Sequence, residues 1–198
     1  MFSGIIEEVG EVINIEDNGD RRLTIKTKFV KKDIKIGSSV CCNGVCLTVH
    51  TIKKNNANLV LSFDVSKETL KCTNFNNLYS GSLINLEKSL KVGDEISGHF
   101  VFGHVDTVSK LKSKKKSGKS YVLEFSMPKN IRKLVTKKGS ISINGISLTV
   151  NKTTKDSFFV NIVDYTWNHT NLRKIRLNDI VNIEVDMLAR YVTNSKNK

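Results

Sequence analysis

Hydrophobic and polar residues alternate in short segments along the chain, and one alternating phrase occurs twice. It reads NGVCLTV at residues 43–49 and NGISLTV at residues 144–150. An Asn-Gly pair beside β-branched residues is typical of a tight hairpin turn, because both residues tolerate a positive φ. The alternation that follows predicts a strand with apolar residues on one face, and with Cys46 and Thr48 on the other face in the first copy. Each copy should therefore present a small nucleophilic side chain and a hydroxyl away from its core.

The similarity between the two halves of the chain extends beyond this phrase. Residues 67–75 align with residues 164–172, and residues 83–87 align with residues 180–184 at the same spacing. Two copies of about a hundred residues indicate a duplicated domain, because a solenoid needs three or more short repeats.

The segments within each copy predict β-structure. They are short, they alternate with a period of two, and turn signals separate them, which favours a small antiparallel barrel or sandwich. The clearest predicted strands are residues 10–15, 23–27, 59–65, 121–125 and 158–163.

Three further segments favour helices: residues 66–74, residues 129–137 after Pro128, and residues 186–192. The third segment has an apolar stripe at helical spacing, formed by Met187, Leu188, Tyr191 and Val192. This stripe predicts that the C-terminal helix packs on a barrel or on a neighbouring subunit.

The charge of the chain changes this picture little. The formal net charge is +13, and much of the excess is lysine in residues 110–119 and 196–198. Such runs are typical of solvated loops and tails, and the alternation of basic and aromatic residues that stacks on nucleic acid is missing. No apolar run reaches the roughly 20 residues that span a bilayer, and the N-terminus lacks the pattern of a signal peptide. We therefore expect a cytoplasmic protein with no membrane and no nucleic-acid partner.

The cysteines argue against a structural metal. Cys41, Cys42, Cys46 and Cys72 form no CxxC pair and have no histidine at zinc-finger spacing. We expect free thiols, of which only Cys46 has a place in the repeated phrase.

In order along the chain, these motifs resemble the riboflavin synthase family, and the resemblance covers essentially all 198 residues. The motifs are MFSGIIE at 1–7, the two NG-x-[CS]-LTV phrases, GHFVFGHVD at 98–106 and VNIEVD at 181–186. The resemblance implies an all-β fold of two similar antiparallel Greek-key barrels from an internal duplication, plus a C-terminal helix. The implied division is an N-terminal lumazine-binding barrel at 1–96, a C-terminal lumazine-binding barrel at 97–185, and a trimerising helix and tail at 186–198.

The resemblance also implies an activity. Members of this family dismutate 6,7-dimethyl-8-ribityllumazine, moving a four-carbon unit between two molecules to give riboflavin and 5-amino-6-ribitylaminouracil, without a metal or redox cofactor. The implied assembly is a homotrimer with each site between the N-terminal barrel of one subunit and the C-terminal barrel of the next. Two identical substrates suit two similar pockets, and holding both in register is worth up to about 7–11 kcal/mol. The donor and the acceptor play different parts, so the pockets must differ, as Cys46 and Ser147 do.

The site residues implied by the resemblance fall into two groups. The N-terminal pocket is expected to use Gly4, Ile5, Ile6, Ser39, Cys46, Leu47, Thr48, Asp64, Val65, Ser66, Lys67, Glu68 and Thr69. The C-terminal pocket is expected to use Gly103, His104, Val105, Lys138, Ser147, Leu148, Thr149, Asn161, Ile162, Val163, Asp164, Tyr165 and Thr166, with Asp186 nearby.

The catalytic candidates are His104, Cys46, Ser147 and Ser39. His104 is the candidate for proton handling, because histidine side chains exchange protons near neutral pH. Cys46 or Ser147 could activate a substrate covalently or position a water molecule. Lys138 and backbone N–H groups could stabilise a delocalised anionic intermediate. Without the family resemblance, His104 would more often be a packed, hydrogen-bonded histidine, and that interpretation is kept for His50, His99 and His169.

Two points leave alternatives open. Relatives usually carry a proline before the pocket threonine, whereas this chain reads Val163-Asp164-Tyr165-Thr166, so the wall of the C-terminal pocket could be looser. The main rival to an enzyme is a non-enzymatic lumazine- or flavin-binding antenna protein on the same two barrels. Such a protein is expected to keep one pocket and lose the other, whereas both pockets persist here.

Overall fold

The computed structural model describes residues 1–18 and 20–195, and these form two closed six-stranded antiparallel barrels followed by a helix. The first barrel contains β1 (Glu8–Asn18), β2 (Asp20–Thr27), β3 (Ser39–Cys42), β4 (Val45–Asn55), β5 (Asn58–Val65) and β6 (Leu83–Lys88). The second contains β7 (Thr107–Ser117), β8 (Ser120–Ser126), β9 (Ser140–Ile143), β10 (Ile146–Thr153), β11 (Ser157–Ile162) and β12 (Ile180–Val185). The strand orders β1-β2-β5-β4-β3-β6 and β10-β11-β8-β7-β12-β9 are the same Greek-key topology. The predicted all-β fold and its duplication are confirmed.

The repeated phrase forms the turn that its sequence predicts. Asn43 and Gly44 have φ angles of 46° and 82°, and Asn144 and Gly145 have φ angles of 47° and 82°. Both residues of each turn are left-handed, as a two-residue hairpin requires. The strands that follow bury their apolar faces, so each barrel has its own hydrophobic core.

Two of the three predicted helices are present. They are α1 (Lys67–Cys72), which has Ser66 as its N-cap, and the C-terminal α3 (Met187–Ser195); a further helix, α2 (Asp164–His169), is the second-copy equivalent of α1. The prediction for residues 129–137 is wrong, because only Lys129–Ile131 is helical, as a single 3-10 turn. Ile131 and Val135 are buried in the core of the second barrel, and this anchoring holds the segment as a turn.

The two hairpin turns face each other across a pseudo-twofold axis. A methyl group at Gly44 would lie 2.8 Å from the backbone nitrogen of Gly145. Asparagine side chains cross this axis in both directions. The Asn85 amide donates to the Asn144 carbonyl at 3.0 Å, and the Asn182 amide donates to the Asn43 carbonyl at 2.8 Å.

The C-terminal helix turns its apolar stripe outward. Leu188, Tyr191 and Val192 are 64%, 70% and 56% exposed, so these three residues of the stripe do not pack on this chain's own barrels, whereas Met187 is half-buried. Arg190 ties the helix to the second barrel through a 2.5 Å ion pair with Asp106. The described helices include none long and apolar enough to cross a membrane. The lysines at 196–198 lie outside the described residues.

Candidate functional site

The polar face of the first barrel carries Thr48 and Asp64 beside a cavity of about 340 Å³. Val49 pairs with Phe63 in the β4–β5 register, so Thr48 and Asp64 lie opposite each other on neighbouring strands. Arg22 donates to the Asp64 carboxylate at 2.8 Å, and the Nδ1 atom of His50 lies 3.3 Å from the other carboxylate oxygen. The hydrogen bond from Arg22 holds the pKa of Asp64 below its usual value.

The second barrel repeats this face without its charges. Thr149 and Asn161 occupy the matching positions, because Val150 pairs with Val160. Asn161 pairs with Val122, whereas Asp64 pairs with Arg22. The predicted difference between the two copies therefore extends to the neighbouring strand, and the ionic cluster of Asp64, Arg22 and His50 has no equivalent at Asn161 and Val122.

Cys46 lies against a loop of the second barrel. It is half-buried, its N–H donates to the Gly103 carbonyl at 3.0 Å, and a methyl group at Gly103 would lie 2.5 Å from the Cys46 Cβ atom. Gly103 has φ +78°, which favours glycine, and the close approach requires glycine as well. His104 follows in the same loop with its side chain exposed and its ring 6.1 Å from that of Phe102.

Ser147 lies against the equivalent loop at the N-terminus. Its N–H donates to the Gly4 carbonyl at 2.8 Å, and Gly4 also has φ +78°. Its hydroxyl oxygen lies 2.7 Å from the Nδ1 atom of His99. His99 is 8% exposed, and burial lowers its pKa while the charge of Asp186 acts in the opposite direction. The interpretation of His99 as a packed, hydrogen-bonded residue fits this burial and this contact, and its partner is a candidate catalytic hydroxyl.

The two glycine loops are exchanged relative to the expected grouping. Gly4 was expected beside Cys46 but lies beside Ser147, and Gly103 lies beside Cys46. The flanking apolar residues follow the same exchange, because Ile6 packs on the core of the second barrel and Val105 packs on the core of the first. Each pocket is thus built from strands of one barrel and a loop that leads into the other.

Ser39 and Ile5 lie at a different cavity from the one beside Thr48 and Asp64. They help to line a cleft of about 820 Å³ beside the first barrel, with Glu7 and Lys88 on its wall. Ser39 is half-buried and pairs with Thr48 in the β3–β4 register. It is therefore adjacent to the polar face, although it does not line the smaller cavity.

Several predicted site residues point into the barrels. The side chains of Leu47, Val65, Leu148 and Ile162 are buried in the two cores. They could contact a ligand only through their backbone groups. The remaining predicted residues of the rims are exposed or half-buried near the starts of α1 and α2: Ser66, Lys67, Glu68, Thr69, Val163, Asp164, Tyr165 and Thr166.

The missing proline does not prevent α2 from forming. Asp164 occupies the first position of the helix, and Val163 before it is extended with φ −70° and ψ 158°. An acidic residue in the first turn is favourable because it faces the positive end of the helix dipole. Tyr165 stacks on His169 with ring centroids 4.0 Å apart.

Lys138 has an unusual backbone. Its φ is +70°, and its N–H donates to the Val150 carbonyl at 2.7 Å. Gly37 has the same role in the first barrel, with φ +85° and a hydrogen bond to Val49. A lysine in a position that favours glycine costs of order 1 kcal/mol, which is consistent with a need for its side chain at this rim.

No group of three or more histidine, cysteine, aspartate or glutamate side chains that could hold a metal occurs among residues 1–18 and 20–195. All four cysteines are free thiols, with Cys41 and Cys42 buried.

Comparison with known proteins agrees with this geometry. The lumazine binding domain family matches the chain twice, at residues 3–89 and 102–186. The riboflavin synthase of Brucella abortus is 37% identical over 194 residues, covering 96% of both chains. That of Photobacterium phosphoreum is 39% identical, covering 97% of this chain and 87% of the relative.

Solved structures show the same architecture. The crystal structure of LumP complexed with riboflavin superposes with a TM-score of 0.84 at 25% identity, covering 93% of this chain and 99% of that chain. LumP complexed with 6,7-dimethyl-8-(1'-D-ribityl) lumazine superposes with a TM-score of 0.81 at 24% identity, which shows the fold alone. Fold and site thus define a protein with two lumazine-binding barrels. The chain belongs to the riboflavin synthase family.

Proposed function

We propose that this chain is a transferase that dismutates two molecules of 6,7-dimethyl-8-ribityllumazine into riboflavin and 5-amino-6-ribitylaminouracil. The proposal rests on the two pockets, which have the same backbone framework but different reactive side chains. Cys46 lies against the Gly103 loop, and Ser147 lies against the Gly4 loop with His99 on its hydroxyl. A donor and an acceptor of the same compound need this combination of equal shape and unequal chemistry.

Some residues would bind and orient the substrates, and others would transfer protons. The backbone beside Thr48 and Thr149 would hold the two ring systems, and Asp64 with its Arg22 partner would bind ribityl hydroxyls. His99 can accept the proton of Ser147 at 2.7 Å, which makes the hydroxyl a better nucleophile or a better holder of water. His104, on an exposed loop, is free to exchange a proton with the donor methyl group. No metal or redox cofactor has a role in this proposal.

The assembly that we propose is a homotrimer formed through α3, with sites between subunits. The outward stripe of Leu188, Tyr191 and Val192 supports it, because three large apolar side chains on one exposed helix face need a partner surface. The proposed division of the chain is 1–96, 97–185 and 186–198, and the proposed location is the cytoplasm.

The direct test is to incubate the purified chain with the lumazine alone. We expect riboflavin to form at half the rate of lumazine loss, with no added cofactor, as followed by absorbance and chromatography. Ser147→Ala is the control for contaminating enzyme, because it should abolish most of the activity. Lumazine that binds but is not converted would overturn the proposal.

The second candidate is a lumazine- or flavin-binding protein without turnover. The likeness to LumP over 93% of the chain favours it, because LumP is solved in complex with riboflavin. The persistence of Lys138, Ser147 and Thr166 in the second barrel favours the enzyme. Binding of two ligands per chain, rather than one, would distinguish the enzyme from an antenna with a single pocket.

A further inference from the structure

Glu184 is a buried carboxylate that the proposed chemistry does not use. It lies on β12, is 3% exposed, and accepts three consecutive backbone N–H groups. These come from Phe102 at 2.7 Å, Gly103 at 2.9 Å and His104 at 3.0 Å. One side chain therefore fixes the backbone of residues 102–104, the part of the loop that carries His104.

Glu87 has the same role in the first barrel. It lies on β6, is 2% exposed, and accepts the N–H of Ser3 at 2.7 Å and the N–H of Gly4 at 3.1 Å. The hydroxyl of Ser3 donates to it at 3.0 Å. Both copies of the duplicated domain thus retain a buried glutamate on their last strand.

Backbone geometry makes each loop an anion site. Left-handed conformations at Gly4 and Gly103 let successive N–H groups converge on one point, as in the backbone nests that bind anions. Burial raises the pKa of Glu184, the three N–H groups oppose this rise, and the nearby Asp106 carboxylate adds to it. The N–H groups are the main stabilisation of the charged carboxylate, so charge and loop geometry depend on each other.

Each clamped loop touches the reactive residue of the opposite barrel. Glu184 belongs to the second barrel, and the Gly103 carbonyl of its loop accepts the N–H of Cys46 in the first barrel. Glu87 belongs to the first barrel, and the Gly4 carbonyl of its loop accepts the N–H of Ser147 in the second. Each series of contacts, from a glutamate through its loop to a site residue, therefore runs from one barrel to the other, and the two series run in opposite directions.

We propose that Glu184 is the positioning residue for the Cys46 pocket and Glu87 is the positioning residue for the Ser147 pocket. The assignment rests on the proposed function, since it states how the two pockets of that reaction are held. Neither glutamate touches a substrate in this scheme, and each acts through its loop. Loss of one carboxylate disturbs one pocket and leaves the other in place.

The test uses two matched variants of the full-length protein, Glu184→Gln and Glu87→Gln, both in a Cys72→Ser background. Glutamine has the size of glutamate but offers one acceptor oxygen, so it cannot hold the converging N–H groups. Two readouts do not depend on turnover. They are the rate at which iodoacetamide alkylates Cys46, measured by peptide mass spectrometry, and hydrogen exchange of the Cys46 and Ser147 amides.

The expected pattern is crossed. Glu184→Gln should speed alkylation of Cys46 and exchange of its amide by up to about 10-fold, the factor at the upper end for losing one neutral hydrogen bond, with the Ser147 amide unchanged. Glu87→Gln should speed exchange of the Ser147 amide by a similar factor and leave Cys46 within twofold of the parent. Both should lower kcat while the protein stays folded.

Equal effects of the two variants on both amides, or no effect on either, would overturn the assignment. If a glutamine variant does not fold, Ser3→Ala removes only the hydroxyl donor of Glu87, and selective acceleration at Ser147 is still required. A crossed pattern in a protein that makes no riboflavin would sustain the positioning role and refute the proposed function.

Discussion

The Nδ1 atom of His99 lies 2.7 Å from the hydroxyl oxygen of Ser147, and this contact is the clearest chemical difference between the two barrels. Cys46, the equivalent residue of the first barrel, packs instead with Phe2, Cys41 and Val101. The second pocket therefore has a hydroxyl that shares a hydrogen bond with an imidazole, and the first has a thiol in apolar surroundings.

Replacing either partner of this pair should impair turnover through the same step. His99→Ala and Ser147→Ala should each lower kcat by about 10²–10⁴-fold, the usual contribution of a positioned acid–base group. The double variant should be no worse than the poorer single variant, because residues that act as a unit are not additive. Steady-state kinetics of the four proteins in a double-mutant cycle provide the measurement. Independent, multiplying losses would show that His99 does not act through Ser147.

The hairpin turn at the pseudo-twofold axis should tolerate no side chain. Gly44→Ala introduces a methyl group 2.8 Å from the Gly145 nitrogen and also strains a φ of +82°. We expect it to lower the free energy of unfolding by roughly 3 kcal/mol or more in urea titrations.

Gly37→Ala is the matched control for this prediction. Gly37 has φ +85° but nothing lies within 4 Å of its added methyl group, so only backbone strain remains. Its cost should be about 1–2 kcal/mol. Equal losses of unfolding free energy in the two variants would show that the barrels can move apart at the turn to accommodate the methyl group of Gly44→Ala at no cost in stability.

Glu87 should make stability depend on pH. Burial raises its pKa from 4.5 to about 7, and the N–H groups of Ser3 and Gly4 only partly oppose this. Because the folded state binds the proton more tightly, the stabilisation is complete below about pH 4.5 and is lost as the pH rises through 7. The rise corresponds to roughly 3 kcal/mol across this window.

Glu87→Gln isolates this contribution from the other titrating groups. Unfolding free energies of the parent and of the variant should be compared at pH 5 and pH 8. The parent should lose more stability than the variant on going to the higher pH. The opposite sign would mean that the N–H clamp outweighs burial and depresses the pKa.

The exposed face of α3 should determine the oligomeric state. Leu188→Asp combined with Tyr191→Asp should convert the proposed trimer to monomer, because charges would replace two apolar contacts on the helix. Light scattering coupled to gel filtration gives the mass. Lys115→Asp, on the exposed β7, is the control for a change of charge alone, and a trimer that survives the helix substitutions would place the interface elsewhere.

The fold could be predicted from local sequence patterns, because each pattern corresponds to one type of local structure. Asn-Gly pairs require left-handed turns, and period-two alternation requires strands. Residues 129–137 are the exception, since their place after Pro128 favours a helix but Ile131 and Val135 are held by the barrel core. Only the tertiary structure shows that packing in the core prevails over the local preference for a helix.

The site was predicted less completely, because its residues are distant in the sequence and only the folded chain brings them together. The family resemblance groups Gly4 with the N-terminal pocket, whereas in the structure the Gly4 carbonyl accepts the N–H of Ser147. His99, Glu87 and Glu184 are not among the predicted site residues for the same reason. The signal for His99 was its place in the GHFVFGHVD motif, and the signal for the glutamates was their recurrence at matching positions.

The asparagine contacts at the axis have a consequence for the origin of the chain. Each contact occurs twice with donor and acceptor exchanged, since Asn85 reaches Asn144 while Asn182 reaches Asn43. Such reciprocity is the signature of an isologous interface between identical subunits. A single ancestral barrel would already have carried both sides of these two contacts, so it could pair with itself as a homodimer before gene fusion let the two copies acquire separate chemistry.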